Sequence, residues 1–163
     1  MSSDSDILSL RLAITICAAH AEALSDALGD LKLRQLADTD LEHLTKADRR
    51  LLDQFAYRYT RLQDDMGARL MPAALRALGE DIAPLSVLDR LNRLEQLDWL
   101  PSADEWGDLR RVRNEFAHEY PETSAERYAR LHRALDSAHR VLEILGHLCG
   151  KIRLRFPGMS AAQ

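Results

Sequence analysis

Glycine and proline are scarce in this chain, seven and five among 163 residues, and aromatic side chains make up only 6%. So few turn-makers argue against a sandwich or barrel, which would need many short strands and tight turns. Cysteine is nearly absent. Cys17 and Cys149 are too few for a disulfide framework and lack the spacing of metal ligands, so the reducing cytoplasm is the simplest setting. Basic residues are not in excess: 22 stand against 26 acidic ones, for a net charge of -4. That excludes bulk electrostatic coverage of nucleic acid but leaves room for a small local phosphate site. The start of the chain carries Asp4 and Asp6 and no basic region, unlike a signal peptide. The most apolar stretch, Leu12 to Leu24, is interrupted by His20 and Glu22 and is expected to be too short to span a bilayer. No basic amphipathic segment suggests binding to a membrane surface.

What is present is 46% hydrophobic and 29% charged residues, which excludes a disordered chain. Leucine, alanine and arginine predominate, and apolar residues recur at helical steps. Leu10, Ile14, Cys17, Ala21, Leu24 and Leu28 form one stripe, predicting a helix over residues 6–28 that stops at Gly29. Thr45 with Asp48 opens a long helix whose stripe is Leu51, Leu52, Phe55, Tyr59, Leu62, Met66 and Leu70. Pro72 should kink or restart it before Gly79. A shorter helix after Ser86 carries Val87, Leu91, Leu94 and Leu97. Ser102 with Glu105 reads as the clearest capping box and starts a helix running to Tyr120. Thr123 with Glu126 caps the last helix, with Leu131, Leu135, Ala138, Leu142, Leu145, Cys149 and Ile152 on one side. The expectation is a single all-α domain over 1–163, an antiparallel bundle of about five helices.

The helix from Ser102 to Tyr120 is the one with chemistry on it. At about 100° per residue, Trp106, Leu109, Phe116, Ala117 and Tyr120 share an apolar arc, with Arg113 in its middle. A permanent guanidinium there must snorkel, pair with an acid, or face a cavity or partner that wants it. Asn114 and His118 sit together on the adjoining flank, and Glu115 and Glu119 on the opposite side. Other basic or acidic groups read more weakly. His132 and His139 lie two turns apart, too far for the neighbouring pair of a zinc helix, and no metal or cofactor is expected. Arg58, Arg61, Asp65 and Arg69 fit either a supporting network under a cleft or surface pairs at four-residue spacing.

Residues Arg113-Asn114-Glu115-Phe116-Ala117-His118-Glu119-Tyr120 resemble the signature of HEPN-domain ribonucleases. That signature is an arginine, a polar residue that is often Asn, a few more residues and a histidine. In the toxins encoded beside minimal nucleotidyltransferases it ends His, any residue, Tyr. The bare Arg-to-His spacing also occurs at Arg111 to His118, Arg127 to His132, Arg133 to His139 and Arg140 to His147. None of those four has both the Asn and the Tyr. Arg61-Leu62-Gln63-Asp64-Asp65-Met66-Gly67 also looks like a segment of such chains.

The resemblance implies a HEPN-like bundle acting as a metal-independent endoribonuclease, the toxin of a type II-like toxin–antitoxin pair. His118 would move a proton between the RNA 2′-hydroxyl and the solvent or leaving group, and Arg113 would stabilise the crowded phosphorane. Asn114 would orient the imidazole or touch a phosphate oxygen. Two motifs would face each other across a homodimer. A cognate minimal nucleotidyltransferase antitoxin would transfer AMP to Tyr120 and silence the nuclease, by placing negative charge where an RNA phosphate binds. The alternative is a non-catalytic HEPN module that only recruits a nucleotidyltransferase or a nucleotide.

Overall fold

Five hydroxyl side chains start five helices. The computed structural model describes residues 2–118 and 123–159. Ser3 begins α1 (Asp4–Arg34), Thr45 begins α2 (Lys46–Asp65), and α3 (Met71–Ala77) continues the same rod. Ser86 begins α4 (Val87–Gln96), Ser102 begins α5 (Ala103–Ala117) and Thr123 begins α6 (Ser124–Arg155). Each cap oxygen accepts from the backbone N–H three residues on, at 3.1–3.2 Å, and so satisfies one of the unpaired donors of a helix start. The pairing is reciprocal at Ser3 with Asp6 and at Thr123 with Glu126. At Ser102 the box is only half formed. Glu105 is turned away from the cap and gripped by Arg140 of α6 at 2.9 and 3.0 Å. A charge-assisted two-pronged bond outcompetes a return bond to a single amide.

The chain is all helical among the described residues, a bundle of five rods plus a 3-10 turn at Asp38–Leu41. Contacts between the rods show their directions. Arg34 at the end of α1 bonds Asp48 at the start of α2 at 2.9 and 3.1 Å, while His20 in mid-α1 meets Asp65 near the end of α2. The two therefore run antiparallel. Likewise α5 runs against α6, with Glu105 on Arg140 and His118 on Arg130. It also runs against α2, with Phe116 on Phe55 and Arg110 on Asp64. One continuous core lies between them, with Leu10, Cys17, Leu24, Phe55, Tyr59, Leu62, Met66, Leu70, Leu94, Trp106, Ala138, Ile144 and Leu148 among its members.

Several boundaries differ from the sequence expectation. α1 passes through Gly29 and ends six residues later at Gln35, in the left-handed region at φ 50°. A mid-helix glycine costs about 1 kcal/mol against alanine, and burying Leu31 beyond it, worth about 1.5–3 kcal/mol, outweighs that cost. The resulting helix is long and apolar enough, by length and composition alone, to cross a membrane, contrary to the reading of Leu12–Leu24 as too short. Here it contributes Leu10, Ala13, Ile14, Cys17, Leu24, Ala27, Leu28 and Leu31 to the bundle core.

Pro72 sits in the first turn of α3 (Met71–Ala77), so an α-helical segment restarts there as its chemistry demands. It is preceded by a π-helical turn, Met66–Leu70, in which the Met71 N–H reaches back five residues to the Met66 carbonyl. Proline lacks an N–H and its ring crowds the carbonyl four residues back. The widened turn gives the ring room and lets the rod continue. In α6 the buried line is Ala134, Ala138, Val141, Ile144, Leu148 and Ile152, with Leu135, Leu142 and Cys149 only half-buried. Leu131, Ala138, Leu145 and Ile152 of the predicted stripe are buried as well, so the buried face includes that stripe and widens to one side of it.

Candidate functional site

α5 is anchored at its far end by aromatic packing. Phe55 and Tyr59 stack at 5.4 Å, and Phe116 stands edge-on to both at 5.7 Å. The Tyr59 hydroxyl donates to Ser137 of α6 at 2.9 Å. Burial raises the Tyr59 hydroxyl above its ordinary pKa, so it stays a proton donor in this contact. Trp106 and Leu109 bury the near half of the same helix face. The motif residues thus project from a helix whose rotation and depth are set by its neighbours.

Arg113 resolves its position in the apolar arc by pairing with an acid. Its Nη2 donates to Asp64 Oδ2 at 2.7 Å, and Arg110 Nη1 donates to Asp64 Oδ1 at 2.7 Å. One carboxylate on α2 therefore holds two guanidinium groups on successive turns of α5. Arg113 Nε is buried without a hydrogen-bond partner, and the side chain is only 20% exposed. Burial pushes the Asp64 carboxyl upward, but the bonds from Arg110 and Arg113 win and hold it below its ordinary value. The Arg113 guanidinium opens onto a groove of about 500 Å³ bounded by Gly67, Ala68, Val87, Leu91, Trp106 and Arg110.

α5 stops at Ala117, not at Tyr120 as the periodicity predicts. His118 leaves the helix with extended backbone (φ -80°, ψ 134°), and its N–H closes the last turn on the Asn114 carbonyl at 3.2 Å. Arg130 of α6 donates to the His118 carbonyl at 2.6 Å, which fixes where the chain departs. The His118 side chain is exposed and lines a second groove, about 510 Å³, between the middle of α2, the 3-10 turn and the start of α6. Asn114 is exposed, and its side-chain oxygen accepts a long 3.5 Å bond from Arg113 Nη1. Arg113 and Asn114 are thus brought together, while Arg113 and His118 line different grooves of the same protomer. Tyr120 and Glu119 lie outside the described residues.

Four further residues belong to these surroundings: Asp64, Arg110, Arg127 and Arg130. Arg127 has only the bare spacing to a histidine on its own helix, yet the fold brings it to the groove of His118. Spacing along one helix carries no information about a residue delivered by another. Asp64 lies within the segment Arg61 to Gly67 that looks toxin-like, but nothing in that segment says which of its two aspartates faces α5.

Its neighbour Asp65 faces the other way and makes the expected four-residue pair with the exposed Arg69, although Asp65 itself is buried. Asp65 is buried on the α1–α2 seam, 3.3 Å from His20 Nε2 and 3.3 Å from Arg69 Nε, and Arg58 Nη1 lies 3.0 Å from His20 Nδ1. Consecutive residues on a helix point about 100° apart, so Asp64 serves α5 and Asp65 serves α1. Among the described residues no three His, Cys, Asp or Glu side chains gather as metal ligands.

Such an arrangement can hold an anion at a two-arginine fork and present an imidazole beside a basic-rimmed groove. No family model matches the chain, and neither does any curated protein or solved structure.

Proposed function

We propose that this protein is a HEPN-like endoribonuclease that cleaves RNA without a metal and acts as the toxin of a toxin–antitoxin pair. The observation that carries the reading is the Arg113-Asn114 to His118 pattern at the end of a capped, firmly packed helix, with His118 exposed beside Arg127 and Arg130. The RNA 2′-hydroxyl attacks the adjacent phosphorus, the bond to the 5′-oxygen breaks, and a 2′,3′-cyclic phosphate remains. His118 accepts the hydroxyl proton or donates one to the departing oxygen, and Arg113 neutralises the charge that builds on the phosphorane. Asn114 stays with Arg113 and shares its phosphate. Because Arg113 and His118 serve different grooves in one protomer, the reaction needs a homodimer, in which the motif of one copy completes that of the other. The setting is the cytoplasm, and the partner is a minimal nucleotidyltransferase that adds AMP to Tyr120.

The test is RNA cleavage in EDTA by wild type, His118→Ala and Arg113→Ala, with product ends identified by mass. Each substitution is expected to slow cleavage by roughly 10² to 10⁴. Cleavage abolished by EDTA and restored by magnesium would overturn the mechanism. Tyr120→Phe should cut normally yet gain no adenylate mass when the nucleotidyltransferase is co-expressed. A second reading, a non-catalytic module that recruits a nucleotidyltransferase or a nucleotide, is favoured by one fact: the Arg113 guanidinium is already paired with Asp64. Wild-type protein that binds but never cuts would select it.

A further inference from the structure

The groove beside His118 has a composition that the cleavage chemistry does not use. Its floor is apolar, built from Leu44, Leu52, Ala56 and Leu131. Along one side stands Tyr57, a residue 54% exposed, with the Arg58 guanidinium carbon over one face of its ring at 5.4 Å from the centroid. The other rim is basic, with Arg127 and Arg130, although the chain as a whole is acidic. Asp53 and Thr60 supply acceptor oxygens. Thr60 gives its own hydroxyl hydrogen to the Ala56 carbonyl at 2.7 Å, so its oxygen remains available to accept.

We infer that this groove is a base-binding subsite for single-stranded RNA: it takes the nucleotide next to the scissile phosphate, stacks its base on Tyr57 and steadies its phosphate with Arg127. The inference rests on the nuclease reading and adds to it where specificity comes from. At about 510 Å³ the groove has the size of a nucleotide site. A flat apolar floor with an exposed aromatic ring suits a splayed base, which a duplex does not offer. The charge of the rim is complementary to a sugar-phosphate backbone and opposes a basic peptide. The acceptor wall adds a preference. Adenine, guanine and cytosine each present an amino donor on their pairing edges and suit Asp53. Uracil, with two carbonyls around a single N–H, does not.

The probe is a fluorescent single-stranded oligonucleotide with methylated 2′-hydroxyls, which binds but cannot be cut, titrated against the full chain. Tyr57→Ala should weaken binding by about 5- to 100-fold, the range of one lost stacking contact, while Tyr57→Phe stays within about twofold. Arg127→Ala should lower the dependence of affinity on salt by about one phosphate contact. Asp53→Asn should narrow the gap between guanine-containing and uracil-only probes. The substituted residues lie at the surface or groove, and unchanged helical circular dichroism checks the fold. If Tyr57→Ala and Arg127→Ala bind like wild type, or duplex binds as well as single strand, the subsite is overturned. If the wild type cuts RNA and Tyr57→Ala cuts with unchanged KM, the subsite fails while the nuclease reading stands. If the wild type neither binds nor cuts any single strand, the nuclease reading fails and takes the subsite with it.

Discussion

Asp64 sets the geometry of the arginine side of the site. Its two oxygens each take one guanidinium at 2.7 Å, so replacing it by the isosteric amide removes the charge and half of the acceptor capacity while keeping the shape. The pairs are partly solvated, and such pairs contribute about 1 kcal/mol or less to stability. Asp64→Asn should therefore leave the melting temperature nearly unchanged. On the proposed nuclease reading, cleavage should still fall about tenfold or more, in kcat rather than KM, because a misplaced Arg113 would meet the phosphorane poorly. A large loss of stability with normal kcat in the surviving fold would assign Asp64 to packing alone. The folded Asp64 pKa is depressed, so its stabilising contribution is present above its ordinary value of 3.8 and is lost as pH falls through the folded pKa. The Arg113 anchor is therefore intact across the neutral and mildly acidic range.

Between α1 and α2, the element scale, the informative contact is a buried histidine. Arg58 donates to His20 Nδ1 at 3.0 Å, so that nitrogen is the acceptor and the ring hydrogen sits on Nε2, facing Asp65 at 3.3 Å. Burial lowers the His20 pKa below 6.5, with Arg58 and Arg61 adding to it and Asp65 opposing. The folded protein thus resists a proton that the unfolded chain accepts. Stability is full above about pH 6.5 and declines as pH falls from there toward the folded pKa. Thermal unfolding followed from neutral to mildly acid pH should show that decline, and His20→Gln should flatten it. An equal slope in the variant would trace the effect to other groups. The same seam explains why α1 is longer than its stripe suggests: Arg34 at its end is drawn onto the buried Asp48 by two bonds. Such end effects depend on a partner residue 14 positions away and leave no local signature.

At the scale of the whole molecule, the proposed nuclease reading turns on association. Val87 is 71% and Leu88 59% exposed, although the apolar pattern predicts Val87 on the inner stripe of its helix. Val87 also borders the groove onto which Arg113 opens. An exposed apolar edge beside the arginine fork is where a second copy would bury surface and bring its own motif close. Light scattering at micromolar concentration should give a dimer. Val87→Asp combined with Leu88→Glu should give a monomer of unchanged helicity that no longer cuts RNA. A wild-type monomer that cuts RNA would remove the need for a composite site.

The fold class and the motif are legible in the amino-acid sequence. Hydroxyl residues before acidic ones, and apolar residues at helical spacing, depend only on neighbours within a turn or two. The helix starts at Thr45, Ser86, Ser102 and Thr123, the all-helical bundle and the placement of Arg113, Asn114 and His118 at the end of one helix follow from such local rules, whereas the first helix begins at Asp4 behind Ser3 and not at residue 6. The tertiary structure alone decided three things. It ended α5 at Ala117 and turned His118 into a different groove from Arg113, because Arg130 of α6 holds the departing carbonyl. It chose Asp64 over Asp65 as the partner of Arg113, because the rotation of α2 is set by core packing and not by charge. It brought Arg127 beside His118, because two antiparallel helices meet there. Each is a contact between residues remote along the chain or on different helices, whose geometry is fixed only when side chains pack.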